Sequence, residues 1–285
     1  MKIKFHKYHG AGNDYIVIDP SESDITLTET LIRAICHRNF GVGADGILYG
    51  PLQGRASELA VRIFNPDGSR AEKSGNGMRI FARYLRDSGK AGKEAFRVST
   101  EGGVVRSQVQ DNGKTVVVEM GRVSFQSKDI PVAGRAREVI DEEITAGDRV
   151  FSFCAATIGN PHCVILCNEV SKESAVEYGP VIEIHPNFPN RTNVQFMQVL
   201  DRKNIRIEIW ERGAGYTLSS GSSSCAAAAA AFRMDLCDSE ITTHMPGGKL
   251  GIVIDDNYAV TMSGPVKKIC EGVISDELFS RKPAG

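Results

Sequence analysis

The sequence has almost no excess charge of either sign. Its 34 Lys and Arg against 35 Asp and Glu leave a formal net charge of −1 over 285 residues, so the basic patch of a nucleic-acid binder is missing. Long apolar runs are absent as well. The longest is the alanine stretch at 226–231, too short and too weakly hydrophobic to span a bilayer, so no membrane partner is expected. The first residues, Met1-Lys-Ile-Lys-Phe-His6, lack the apolar segment of a secretory signal. Seven cysteines (Cys36, Cys154, Cys163, Cys167, Cys225, Cys237, Cys270) make an odd number, and no pair has C-x-x-C spacing. That usage points to a reduced, cytoplasmic protein with mostly buried thiols, and away from structural zinc. Gly41-Val-Gly43 has no third glycine at the dinucleotide spacing and no helical pattern after it, which argues against a Rossmann site.

What the chain does have is centred on Glu211-Arg-Gly-Ala-Gly-Tyr-Thr-Leu-Ser-Ser-Gly-Ser-Ser-Ser-Cys225, which runs into the alanine stretch. Ser222, Ser223 and Ser224 are placed to cap a helix there. Ser220 and a set of free backbone N–H groups would then lie at a positive helix end, a natural site for a carboxylate or phosphate. An ordinary strand-to-helix turn before a buried alanine helix would show the same composition.

Strands are expected at residues 3–8 and 15–19 around a loop at 9–14, and at 59–64, 96–99, 104–110, 115–119, 151–158, 164–167, 194–200, 205–210, 241–243, 249–254 and 258–262. Helices are expected at 28–38 with Thr28 or Thr26 as cap, from Asn76 to the Ser88-Gly89 stop, at 171–178, and through the alanines. Residues 123–149 carry a weaker pattern. The 185–193 stretch, rich in Pro and Asn, reads as an irregular crossing.

The chain also repeats itself. Asn13, Asn65, Ser74, Gly102-Gly103 and Asp111-Asn112 are matched by Asn160, Glu211, Ser220, Gly247-Gly248 and Asp256-Asn257, at an offset of about 146 residues. The repeat implies an α+β chain of two pseudo-symmetric halves. Each half would be a curled antiparallel or mixed β-barrel around a central α-helix, because a helix apolar on every side belongs in a fully buried setting. The helix starts at Ser74 and Ser220 would face one another across an interdomain cleft. Such a cleft suits an anionic substrate whose carboxylate is held by backbone N–H groups near Gly75-Asn76 and Gly221-Ser222, while side chains on opposite faces of a Cα remove and return its proton.

At this point the chain resembles the diaminopimelate epimerase family. The resemblance rests on His9-Gly-Ala-Gly-Asn-Asp14, Gly41-Val-Gly-Ala-Asp45, Arg62-Ile-Phe-Asn-Pro-Asp-Gly68, Ser74-Gly-Asn-Gly77, Gly159-Asn-Pro-His162, Asn193 before a strand, Glu211-Arg-Gly-Ala-Gly215 with Thr217, and Met245-Pro-Gly-Gly248. These stretches cover both halves in order. The resemblance implies cofactor-independent inversion of an amino-acid Cα, with L,L- to meso-diaminopimelate as the default, no metal, and a homodimer. It implies an N-terminal barrel domain of residues 1–121 plus 268–285, and a C-terminal barrel domain of residues 122–267. It implies that Asn13, Asn65, Asn160, Asn193 and Arg212 hold the distal end of the substrate and that Glu211 meets an ammonium group. Gly75, Asn76, Gly221 and Ser222 would take the reacting carboxylate.

The family's two catalytic cysteines fall on Ser74 and Ser220. Its usual Gln falls on Gly46 and its usual Glu on Tyr216. Lys73, His162 and Tyr216 are candidates to support the two hydroxyls. The serines admit three readings: engineered replacements, a natural paralogue acting on a different amino acid, or a catalytically silent amino-acid-binding module.

Overall fold

The computed structural model describes residues 2–23, 25–54 and 58–280. Two units emerge from it, residues 1–118 with 264–285 and residues 119–263. The boundaries expected at 121/122 and 267/268 lie three and four residues earlier in it, at 118/119 and 263/264. Residues 281–285, expected in the first half, lie outside the described residues.

In the first unit, β1 (Ile3–Gly10) and β2 (Asn13–Ile18) pair antiparallel, with Gly10 opposite Asn13. Between them Ala11 and Gly12 have φ of 54° and 87°, the left-handed pair that matches strand twist in a tight hairpin. The loop expected over 9–14 is therefore a two-residue turn, and Asn13 is the first residue of β2. Helix α1 (Glu29–Cys36) is capped by Thr28, whose Oγ1 accepts from the Leu31 amide at 3.3 Å. It leads to β3 (Ile47–Gln53), which runs parallel to β2. No strand was expected there; the Gly50-Pro51 pair sits where the register against the next strand shifts between Tyr49 and Leu52. That strand, β4 (Leu59–Phe64), carries the short β5 (Arg70–Ala71) on its end. Helix α2 (Gly75–Asp87) follows, then β6 (Phe96–Thr100) parallel to β4, β7 (Gly103–Gln110) and β8 (Thr115–Arg122). The β7–β8 connection is a single 3-10 turn, Asp111–Gly113.

The second unit repeats this order. β9 (Glu142–Ala146), β10 (Arg149–Thr157) and β11 (Pro161–Leu166) are antiparallel neighbours. Helix α3 (Lys172–Glu183) crosses to β12 (Asn193–Asp201), parallel to β11. β13 (Asn204–Glu211) carries the short β14 (Gly215–Thr217). After α4 (Gly221–Arg233) comes β15 (Glu240–Met245), parallel to β13, and then β16 (Gly248–Ile254) and β17 (Ala259–Pro265). The chain then returns to the first unit with β18 (Lys267–Ile274), which flanks β1 as β9 flanks β10, and ends its described part in α5 (Glu277–Ser280).

Each sheet curls around a central helix. α2 packs on β1, β2, β3 and β7, with Met78, Ile80, Phe81, Ala82 and Leu85 at 0% exposure. α4 packs on β10 to β13, β15 and β16, and residues 226–231 are wholly buried. Alanine is the best helix former, and its small side chain lets strands approach the axis from all sides. The crossover helices cover the other face. Ile32 and Ile35 of α1 join Ile16, Ile18 and Ile47, while Ala175 and Ile182 of α3 join Phe153, Ile165 and Phe196. Among the described residues no helix is long and apolar enough to cross a membrane.

Helix α3 was expected to stop at Tyr178, yet it continues through Gly179 and Pro180. The continuation depends on close approach. A Cβ on Gly179 would stand 2.6 Å from Trp210 Cβ on β13. Replacing a helical Gly by Ala gains about 1 kcal/mol of propensity, but forcing an extra carbon into packed contact costs about 1–3 kcal/mol. Because the neighbour is a Trp Cβ rather than a mobile side-chain end, the clash dominates. Gly179→Ala is expected to destabilise the protein by about 1–2 kcal/mol, read as a lower urea midpoint; an unchanged or higher midpoint would show that α3 can lift off Trp210.

Candidate active site

Ser74 lies at the end of an extended segment (φ −139°, ψ 119°), and its Oγ accepts from the Gly77 amide at 3.1 Å, making it the N-cap of α2. Two residues on, buried Asn76 donates from Nδ2 to Asn13 Oδ1 at 3.1 Å and accepts at Oδ1 from Arg79 at 2.5 Å. Asn13 in turn donates to Asp45 Oδ2 at 2.8 Å, an oxygen that also accepts the Asp14 amide at 3.2 Å. The other Asp45 oxygen accepts from Arg38 at 2.5 Å. Asp14 lies between Arg38 (2.6 Å) and Lys7 (3.0 Å). Burial pushes the Asp14 carboxyl up, but hydrogen bonds from Arg38 and Lys7 outweigh it and hold it below the usual carboxylate range. The Gly41-Val-Gly-Ala-Asp45 motif thus acts through its last residue, which ties the tip of the β1–β2 hairpin to the loop after α1. Alternation along β2 turns Tyr15 toward α2, and its hydroxyl is 3.1 Å from Ser74 Oγ.

The second unit has the corresponding arrangement. Ser220 is extended (φ −144°, ψ 127°), and its Oγ accepts from the Ser223 amide at 3.4 Å. This corrects the expectation that Ser222, Ser223 and Ser224 form the cap. All three lie inside the first turn, where helical φ/ψ keeps a side chain from reaching back to the orphan amides. Their hydroxyls have other partners. Ser222 Oγ accepts from Asn160 Nδ2 at 3.5 Å, Ser223 Oγ accepts from Gln195 Nε2 at 3.0 Å, and Ser224 Oγ donates to the Ser220 carbonyl at 2.8 Å. Because Asn160 uses its amide N–H on Ser222, its Oδ1 faces His162, and His162 Nε2 donates to it at 3.0 Å. Burial depresses the His162 pKa to about 3, so the ring is neutral. Asn193 donates to the Pro161 carbonyl at 2.8 Å and accepts from the Arg212 amide at 3.0 Å. Glu183 of α3, only 4% exposed, accepts from the Gly213 amide at 2.8 Å, from Trp210 Nε1 at 2.7 Å, and from Arg191.

Each half therefore joins its asparagine to the second residue after its capping serine: Asn13 to Asn76, and Asn160 to Ser222. Gly75 and Gly221 are the buried first residues of α2 and α4. Other expected residues stand apart from these pairs. Asn65 donates its amide to Ser69 Oγ at 2.9 Å within its own turn. Arg212 is exposed and donates to the Asn190 carbonyl at 3.1 Å, and Glu211 ends β13. Lys73 is half-buried just before the cap. Tyr216 donates to Glu208 at 2.7 Å, and Lys172 lies 5.2 Å from its ring; its hydroxyl is turned to β13 and not to Ser220. Five of the seven cysteines are buried, Cys225 among them, and burial raises the Cys163 thiol well above its ordinary pKa. Among the described residues no group of His, Cys, Asp and Glu is arranged as metal ligands would be.

Sequence reasoning missed Tyr15, Asp45 and Glu183. The repeat contained the signal for Tyr15: it follows Asn13 by the same step as His162 follows Asn160. Nothing local marks Glu183, which acts across the fold from a helix end.

Comparison with known proteins adds a family. The family model described as diaminopimelate epimerase matches residues 5–126 and 154–269. A protein named diaminopimelate epimerase 2 from Nostoc sp. is 58% identical over 98% of this chain and 98% of its own length. A diaminopimelate epimerase from Moorella thermoacetica is 39% identical over 94% of this chain and 98% of its own. Among solved structures, a hydroxyproline epimerase from Agrobacterium vitis matches with a TM-score of 0.70 at 14% identity, covering 96% of this chain and 92% of that one. A probable proline racemase from Agrobacterium radiobacter matches at 0.72 and 15% identity, covering 97% and 94%. At those identities the likeness is one of fold.

The buried neutral His162 carries a pH signature. Its proton affinity is depressed in the folded state, from 6.5 to about 3, so the unfolded chain binds the proton first. Stability then falls as pH drops from about 6.5 toward 3 and levels off below. His162→Gln is expected to flatten that part of the slope in urea unfolding across a pH series; an unchanged slope would place the acid sensitivity in other groups.

Proposed function

The chain belongs to the diaminopimelate epimerase family, and on that footing we propose that it inverts a Cα stereocentre of an amino acid by two-base proton transfer, with L,L- to meso-diaminopimelate as the default reaction. The observation that carries this reading is the pair of matched helix starts. Each half presents a capping serine at the start of a buried helix and an asparagine bonded to the second residue after the serine.

Inversion requires a proton to leave one face of Cα and another to arrive on the opposite face. In this reading Ser74 and Ser220 are the two proton-transfer groups. Removing the proton sends the electron pair into the neighbouring carboxylate. That charge is stabilised by the amides of Gly75, Asn76, Gly221 and Ser222 at positive helix ends. Asn13, Asn65, Asn160, Asn193 and Arg212 hold the distal part of the substrate, and Glu211 meets its ammonium group. Asp45 and Glu183 keep the Asn13 turn and the Arg212–Gly213 loop in place. No cofactor enters the chemistry, and the protein works as a homodimer in the cytoplasm; the free, mostly buried thiols support that compartment.

A second reading has its own observation. Hydroxyls stand at both proton-transfer positions, and Tyr216 is engaged by Glu208. Together they favour a paralogue acting on a different amino acid, or a module that binds one without turnover.

In deuterated water the protein is expected to place deuterium at the α-carbon of L,L-diaminopimelate. Uptake only with some other amino acid identifies the paralogue, and binding with no uptake from any amino acid overturns the enzymatic reading. Ser74→Cys/Ser220→Cys is expected to speed exchange about tenfold or more near pH 8, since a thiol titrates near 8.5 and a serine hydroxyl is a far weaker acid.

A further inference from the structure

Serine is a poor base, and Ser74 needs a partner in order to take a proton. We propose that Tyr15 is the proton acceptor behind Ser74, so that the first half uses a tyrosine–serine pair where a single ionised side chain would otherwise serve. The proposal deepens the epimerase reading above and rests on it.

Three features place the pair. The Tyr15 hydroxyl is 3.1 Å from Ser74 Oγ. Ser74 Oγ also accepts from the Gly77 amide at 3.1 Å, at the start of a 13-residue helix with no acidic residue in its first turn. Negative charge on either oxygen is therefore stabilised by the helix end. The third feature is Gly46. A Cβ there would lie 2.5 Å from the Phe64 carbonyl oxygen and 2.6 Å from Tyr15 Cε1. The carbonyl belongs to β4 and cannot move aside, so only glycine leaves the ring of Tyr15 where its hydroxyl meets Ser74. The absence of a side chain at position 46 thus has a steric purpose.

The other half lacks such a pair. Its residue equivalent to Tyr15 is His162, whose Nε2 is turned to Asn160, and among the described residues Ser220 Oγ accepts from the Ser223 amide alone.

An unperturbed tyrosine ionises near pH 10, well within reach compared with a serine hydroxyl. With Tyr15 as phenolate the step balances. The Cα–H bond breaks and its proton joins Ser74 Oγ. The original Ser74 hydroxyl proton passes to the Tyr15 oxygen, and the electron pair left on Cα moves into the carboxylate. In the opposite direction Tyr15 returns a proton to Ser74 as Ser74 delivers one to Cα. Tyr15 acts through Ser74 and is a positioning and proton-holding residue, not one that touches substrate.

The test compares wild type, Tyr15→Phe, and a protein with 3-fluorotyrosine at position 15, each checked for folding by circular dichroism. α-Deuterium exchange into L,L-diaminopimelate is followed across pH. Wild-type exchange is expected to rise with pH along a single basic limb. Tyr15→Phe is expected to lose that limb and to fall about 100-fold or more, the size of a general-base contribution, with KM little changed. The fluorinated ring, a stronger acid, should restore exchange and move the limb to lower pH. A merely structural tyrosine would move neither. If wild type exchanges and Tyr15→Phe keeps its rate and limb, or the limb ignores fluorination, the Tyr15 proposal is overturned while the epimerase reading stands. If wild type exchanges with no amino acid, the epimerase reading falls and takes the proposal with it.

Discussion

The first amides of a helix have no partner within it, and in a helix enclosed by a curled sheet they must find one elsewhere in the fold or present themselves to a ligand. In both halves one oxygen answers part of that demand: Ser74 Oγ takes the Gly77 amide, and Ser220 Oγ takes the Ser223 amide. Such a cap contributes about 1 kcal/mol, but its larger effect is positional. It holds an acceptor oxygen at the helix start, beside the first residues Gly75 and Gly221. In the proposed reaction, the groups that cradle a carboxylate and the groups that exchange its α-proton come from one local structure.

In each half a carboxylate, half-exposed Asp45 in one and buried Glu183 in the other, fixes what the sequence leaves loose. Asp45 gathers Asn13, Asp14 and Arg38. Glu183 gathers Trp210, Gly213 and Arg191. Charge-assisted bonds of this kind are worth more than neutral ones, and removing the carboxylate would leave these donors without their acceptor. The two hubs do not correspond in sequence. One sits at the end of a glycine loop and the other at the end of a crossover helix. The halves share a strand order and a helix start, but each anchors its loops in its own way.

The halves differ most beneath the serines. Both strands that follow the asparagines turn a ring toward the central helix: Tyr15 in one half, His162 in the other. Tyr15 reaches the cap oxygen, whereas His162 is neutral and held by Asn160. A symmetric scaffold therefore carries different surroundings for its two capping serines.

The repeat, the two central helices, most of the strands and both serines were legible in the sequence, because period, punctuation and landmark spacing are local properties. Resemblance to a family followed from motifs spread through both halves. The rest depended on the third dimension. Strand β3 was not expected, and only pairing with two neighbours makes it a strand. Helix α3 outran its expected end because Gly179 lies against Trp210, a contact between residues remote in the chain. The cap moved from Ser222–Ser224 to Ser220 because φ/ψ, not residue type, decides which of several serines can reach back. The partnership of Tyr15, Gly46 and Ser74 joins three distant segments. Sequence determined which chemistry each half could hold; tertiary packing decided which oxygen meets which hydroxyl, since hydrogen bonds are set by a few tenths of an ångström that no pattern along the chain records.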